Sequence, residues 1–127
     1  MSAPMISVVI PAYRSGHLMK EALVSVLKQT FQDFEIVLVD NNADHETQSI
    51  ISSYAKRHPE KIRALPEKTK GVCSARNRGI LEFRGRFIAL LDDDYIMYPD
   101  RLAAQLHMRL AASGGRRHSW LDGCLFV

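Results

Sequence analysis

Ile6-Ser7-Val8-Val9-Ile10 opens a rhythm in which short apolar runs alternate with segments whose apolar residues return every three or four positions. Such alternation predicts βαβ units feeding a mainly parallel sheet. The first run predicts a strand stopped by Pro11. After Ser15, Leu18, Ala22, Leu23, Val26 and Leu27 share one face of a helix that ends near Thr30. Glu35-Ile36-Val37-Leu38-Val39 predicts a second strand, almost continuously apolar as befits a parallel strand covered on both faces. Asp44 is placed to cap a helix with the stripe Ile50, Ile51, Tyr54 and Ala55, which His58-Pro59 terminates.

A short third strand is expected around Ile62 to Leu65, then a helix from Val72 to Phe83 with Gly85 as its stop. The fourth strand, Phe87-Ile88-Ala89-Leu90-Leu91, runs straight into Asp92-Asp93-Asp94. Pro99 suits the first turn of a last helix, where its missing N–H costs nothing. Leu102, Ala103, Leu106 and Leu110 line one side of that helix, which is expected to fray at Ser113-Gly114-Gly115. Beyond it Arg116 to Trp120 lacks a period, and Cys124 to Val127 reads as a stub of strand. The chain thus divides into a unit over 1–112 and an atypical C-terminal tail over 113–127.

Composition narrows the function. With 127 residues, 46% hydrophobic and 24% charged, the chain has room for one domain with a core. The apolar run at the start is too short, and lacks the basic segment, for a signal peptide, and no stretch reaches the ~20 residues that span a bilayer. Cys73 and Cys124 lie far apart without CxxC spacing, which argues against a disulfide framework and a zinc site and fits a reducing cytoplasm. Cys73, near a helix start, reads as a small buried filler rather than a reactive thiolate. The net charge of +3 is modest and dispersed among acidic residues, which speaks against nucleic acid. It suits a solvated surface biased toward anionic ligands or a membrane face. No GxGxxG follows the first strand, and neither a GxxxxGK[ST] loop nor an HExxH pair occurs.

Ligands of open α/β sheets bind beyond the carboxyl ends of the strands. Followed to that edge, the strands deliver Pro11-Ala12-Tyr13, Asp40-Asn41-Asn42 and Asp92-Asp93-Asp94. Three adjacent carboxylates at the mouth of a buried strand repel one another, so a cation is expected there. Hard oxygen ligands suit Mg²⁺ or Mn²⁺, held by one or two carboxylates together with substrate phosphates and water.

Several segments together resemble the opening of family-2 glycosyltransferases of the GT-A type. They are Ser7 to Tyr13, Ser25 to Phe31, Phe34 to Asn41, Gly71-Val72, Ala75 to Ile80, Leu91 to Asp94 and Pro99 to Leu102, matching in order and spacing over about the first 110 residues. The resemblance implies a GT-A, Rossmann-like parallel sheet of about four strands flanked by helices, here truncated. It implies that Pro11, Ala12 and Tyr13 line a base pocket, with the Tyr13 ring against the nucleobase or, alternatively, only covering the sheet edge. Asp92 and Asp94 match the ends of the family's DxD motif: Asp94 for direct metal contact with Asp92 beside it, Asp93 for the ribose or a phosphate-bound water. Arg76 approaches the donor diphosphate, buttresses the acidic loop, or makes a plain surface ion pair. Asp40 either touches the donor or ties down the loop that follows it.

Asn41 departs from the pattern, since the family often has an aspartate there to accept a base N–H. An amide oxygen still accepts that bond without the charge. Uracil stays ahead of thymine or guanine.

The implied reaction is metal-dependent transfer of a sugar from a nucleotide-diphosphate donor, UDP-sugar first, to a glycan, lipid or protein acceptor, with inversion. The resemblance also implies a part in polysaccharide biosynthesis and a cytoplasmic site, at the inner face of the membrane if the protein associates peripherally. The general base is not identifiable in the chain. The resemblance fades around Ala111, so a truncated, frameshifted or partial product is expected, either active with its remainder or a remnant that binds nucleotide and metal without transfer. A phospho-receiver-like domain would need carboxylates where Pro11-Ala12-Tyr13 stands.

Overall fold

Four strands, β1 (Ile6–Ala12), β2 (Phe34–Asp40), β3 (Ile62–Pro66) and β4 (Phe87–Leu90), form one parallel sheet in the order β3-β2-β1-β4. The computed structural model describes residues 3–111 and two short strands, β5 (Ser119–Leu121) and β6 (Cys124–Phe126), which pair with each other as an antiparallel ribbon. The predicted fraying at Ser113-Gly114-Gly115 lies outside the described residues.

The chain moves outward from β1 to β3 and then returns to place β4 on the other flank of β1. Parallel crossovers are right-handed, so reversing their direction moves the connecting helix to the opposite face. Helices α1 (His17–Leu27), α2 (His45–Arg57) and α4 (Arg101–Ala111) accordingly pack with Ile6, Val8, Ile10, Ile36 and Leu38 on one face. Helix α3 (Val72–Glu82) covers Val9, Val37, Val39, Ile88 and Leu90 on the other through Ala75. Alternate residues of β1 and β2 thereby bury both faces, the physical reason for their unbroken apolar runs.

Pro11 does not stop the first strand. The main chain of Val9 accepts from Leu91 N–H, toward β4, whereas Ala12 accepts from Asn41 N–H, toward β2. Pro11 therefore turns its N–H-less nitrogen to the flank where β4 has already ended, and no ladder bond is lost.

Three other details differ from the periodicity. Met19, not Leu18, enters the core of α1: either fits a 3.6-residue repeat with Ala22, and Leu18 is exposed. In α4, Leu102 and Leu106 are buried, but eight residues after Leu102 the helix has rotated about 80°, so Leu110 is exposed and Gln105 is buried instead. Pro99 precedes the helix; the first intrahelical carbonyl is that of Asp100, bonded by Ala104 N–H, while the Pro99 carbonyl accepts from Thr30 N–H at 2.8 Å.

Buried Gln29 holds this corner. Its amide donates to the carbonyls of Ser25 and Tyr98 and accepts from Leu102 N–H, fastening the end of α1 to the start of α4. Asp44 caps α2 as anticipated, accepting from Thr47 N–H at 3.0 Å. The Thr47 hydroxyl, and after it that main-chain bond, hold its carboxyl below the usual carboxylate range. Cys73 is a free, exposed thiol in the first turn of α3, not a core filler, because α3 buries only Ala75 and Gly79. No helix among the described residues is long and apolar enough to cross a membrane.

Candidate donor-binding site

A crevice opens at the carboxyl edge of the sheet, where ligands of open α/β folds bind. A cavity of about 510 Å³ occupies it, lined by Pro11, Ala12 and Tyr13 after β1, Asn41 after β2, Lys70, Gly71 and Val72 before α3, and Asp92, Asp93 and Asp94 after β4. Tyr13 and the acidic loop meet directly: Asp93 Oδ2 accepts from Tyr13 N–H at 3.1 Å. The Tyr13 ring is 47% exposed, with the Arg14 guanidinium 5.7 Å from its centroid.

The three aspartates do not converge on one point. Asp92 is largely exposed and pairs with Arg76 at 2.9 Å; Asp93 is taken by Tyr13 N–H; Asp94 faces the cavity and has no protein partner among the described residues. The Arg76 pair, the Tyr13 N–H bond and solvent ease their mutual repulsion. No group of three or more His, Cys, Asp or Glu among the described residues is arranged to hold a metal. Arg76 reaches the acidic loop through Nη2, and its Nε is buried with no hydrogen-bond partner among the described residues.

Asp40 does not line the cavity. Its carboxylate accepts from Ala43 N–H at 2.9 Å and lies 3.5 Å from the Gln48 amide, tying down the loop into α2. Asn41 lines the cavity, but its amide is engaged by the segment before α3. Lys70 was not marked by sequence reasoning as a site residue. Its nearest signal is Gly71, whose φ of 127° only glycine adopts without strain and which turns the chain from the cavity wall into α3.

The model of glycosyl transferase family 2 matches residues 7–108, from β1 into α4. The chain belongs to that family. Among its family-2 relatives, an uncharacterised glycosyltransferase of Rickettsia prowazekii is 33% identical over 84% of this chain and 32% of its own length. The UDP-Glc:alpha-D-GlcNAc-diphosphoundecaprenol beta-1,3-glucosyltransferase WfgD of Escherichia coli is 32% identical over 84% of this chain and 41% of its own. The crystal structure of S. aureus TarS in complex with UDP superposes with a TM-score of 0.75 at 26% identity, over 84% of this chain and 32% of that one. A mannosyltransferase of Pyrobaculum calidifontis, crystallised with GDP-Man and Mn²⁺, shares the fold at a TM-score of 0.65. The family-2 sheet, its four parallel strands and flanking helices are therefore those of GT-A glycosyltransferases. The chain spans about a third of the length of the first relatives it matches.

Proposed function

We propose that residues 1–112 form the nucleotide-sugar-binding unit of a metal-dependent, inverting glycosyltransferase that uses a UDP-sugar, with 113–127 as an atypical C-terminal tail. The observation that carries this is a cavity lined by both an exposed aromatic residue, Tyr13, and a carboxylate, Asp94, that has no protein partner among the described residues. Pro11 and Ala12 form an apolar floor and Tyr13 offers its ring to the base, a flat contact that suits uracil. UDP and UDP-GlcNAc are what S. aureus TarS holds in its crystal structures, which supports the choice of uracil.

Mg²⁺ or Mn²⁺ fits the residues present. Asp94 contributes a free carboxylate, and Asp92 one oxygen beyond its Arg76 bond. Two hard ligands suffice where phosphates and water complete the shell. When bound, such an ion offsets the charge that grows on the departing diphosphate. Asp93 stands at the ribose end, held by Tyr13 N–H, and Arg76 keeps Asp92 in place beside the diphosphate. Asp92, Asp93 and Asp94 are the only acidic residues lining the cavity among those described, and the general base is assigned to none of them. An acceptor like the one in WfgD's name would place the reaction at the inner face of a membrane, in polysaccharide biosynthesis.

Calorimetric titration of UDP, GDP and dTDP, each with and without Mn²⁺, tests the reading on the parent chain and on Asp94→Ala. UDP is expected to bind most tightly and only with metal, and Asp94→Ala to weaken it by about tenfold or more. Equal binding without metal, or an unchanged affinity in the variant, would remove Asp94 from its role. Donor hydrolysis and sugar transfer assays on the same sample separate an active enzyme from a binding-only remnant.

A further inference from the structure

The side-chain amide of Asn41 is only 5% exposed and its hydrogen bonds run to one segment of chain. Nδ2 donates to the carbonyls of Glu67 at 3.0 Å and Thr69 at 2.8 Å, and Oδ1 accepts from Gly71 N–H at 3.0 Å. Asn42, at φ 60°, donates from its own amide to the Lys68 carbonyl at 3.0 Å. Three successive carbonyls, 67 to 69, therefore point at two neighbouring amide groups. The segment is closed by Glu67, whose carboxylate accepts from Thr69 N–H and from Arg78 of α3 and is held below the usual carboxylate range by these bonds. This folded segment brings Lys70 and Gly71 to the lining of the cavity that Asp92 to Asp94 also line.

We infer that Asn41 is a positioning residue for the donor pocket: its amide holds the wall formed by residues 67–71, and it serves the nucleotide through that wall rather than by reading the base. Both donors of the amide and one acceptor site are spent on the chain, and only an amide supplies donors to two carbonyls and an acceptor to an N–H from one short side chain. A carboxylate at this position would set an oxygen about 3 Å from each of two carbonyl oxygens and leave both unbonded. The inference rests on the proposed donor site, yet the latch itself is testable without any nucleotide.

Asn41→Asp separates the two roles because they give opposite signs. A base-reading residue would gain from the carboxylate, a stronger acceptor for a base N–H, and UDP would bind as well or better. A latch is broken by the same substitution. The 67–71 segment is then expected to be cut by trypsin after Lys68 and Lys70 about tenfold faster than in the parent, with far-ultraviolet circular dichroism preserved. UDP and GDP should both weaken by about tenfold. Unchanged cleavage, or a gain in UDP affinity, overturns the inference. If the parent binds no nucleotide, the donor reading fails while the proteolysis still decides the latch. Asn42→Asp guards against a variant that does not fold: on the exposed side and at a backbone angle that aspartate tolerates, it should raise cleavage after Lys68 severalfold, and no increase there counts against the latch.

Discussion

Glu35→Ala is expected to lower the unfolding free energy by about 3 kcal/mol, the range seen when one partner of a buried, hydrogen-bonded ion pair is removed. Glu35, the second residue of β2, lies on the face covered by α3, where its carboxylate organises the amino-terminal rim of the sheet. Oε2 accepts from the Ser7 hydroxyl at 2.5 Å and from Arg84 N–H at 2.8 Å, and Oε1 accepts from Arg63 Nε at 3.1 Å. The Ser7 hydroxyl in turn accepts from Gly85 N–H, and Arg63 donates onward to the Glu82 carbonyl. One side chain thus joins β1, β2 and β3 to the turn between α3 and β4. Alanine would strand a buried hydroxyl, a guanidinium and a main-chain N–H together. Urea denaturation should show the loss, with a fall in Tm of roughly 10 °C for a chain of this size.

Acid offers an independent reading of the same network. Burial raises the Glu35 pKa, but the Ser7, Arg84 and Arg63 bonds together outweigh it and hold the carboxyl below its ordinary value of 4.5. A group depressed in the folded state contributes its full stability above the unfolded value and loses it as pH falls through the folded one. The gap between parent and Glu35→Ala should accordingly be widest near neutrality and narrow once pH drops below about 4. A gap constant from pH 7 to pH 3 would contradict the assigned bonds.

Gly79→Ala should cost about 2 kcal/mol even though alanine is the better helix former. A β-carbon at this position would lie 2.2 Å from Val9 Cγ1, so α3 could not keep its present distance from β1. The helix would have to lift, carrying with it Arg76, which pairs with Asp92, and the Gly71-Val72 turn on the cavity wall. Nucleotide affinity is expected to fall along with stability. Val9→Ala, destabilising alone, should recover part of both losses in the double variant, with a coupling of about 1 kcal/mol or more in a double-mutant cycle. Additive losses would show that α3 accommodates the methyl by another route.

Much of this was legible from local pattern. The strand runs, the Asp44 cap, the breaks at His58-Pro59 and Gly85, and the delivery of Tyr13 and Asp92 to Asp94 to one edge all follow from period, turn chemistry and the rule that parallel strands point the same way. Those features depend on near neighbours in the chain or on topology that few alternatives satisfy. What escaped local reading depends on partners far away in sequence. Pro11 continues its strand only because β4 ends two register positions earlier on that flank, at the Val9–Leu90 pair. Asp92 and Asp93 are engaged by distant partners, Arg76 sixteen residues before Asp92 and Tyr13 eighty before Asp93. Asn41 resembles a base contact until residues 67–71 fold over its amide.

Composition and periodicity therefore dictated the layers, the strand direction and the edge at which chemistry gathers, since each is set by apolar spacing repeated along the chain. The partner of each polar group on that edge was decided by tertiary contact alone. A hydrogen bond is settled by distances of a few tenths of an ångström between segments tens of residues apart, and no pattern within a single segment encodes that.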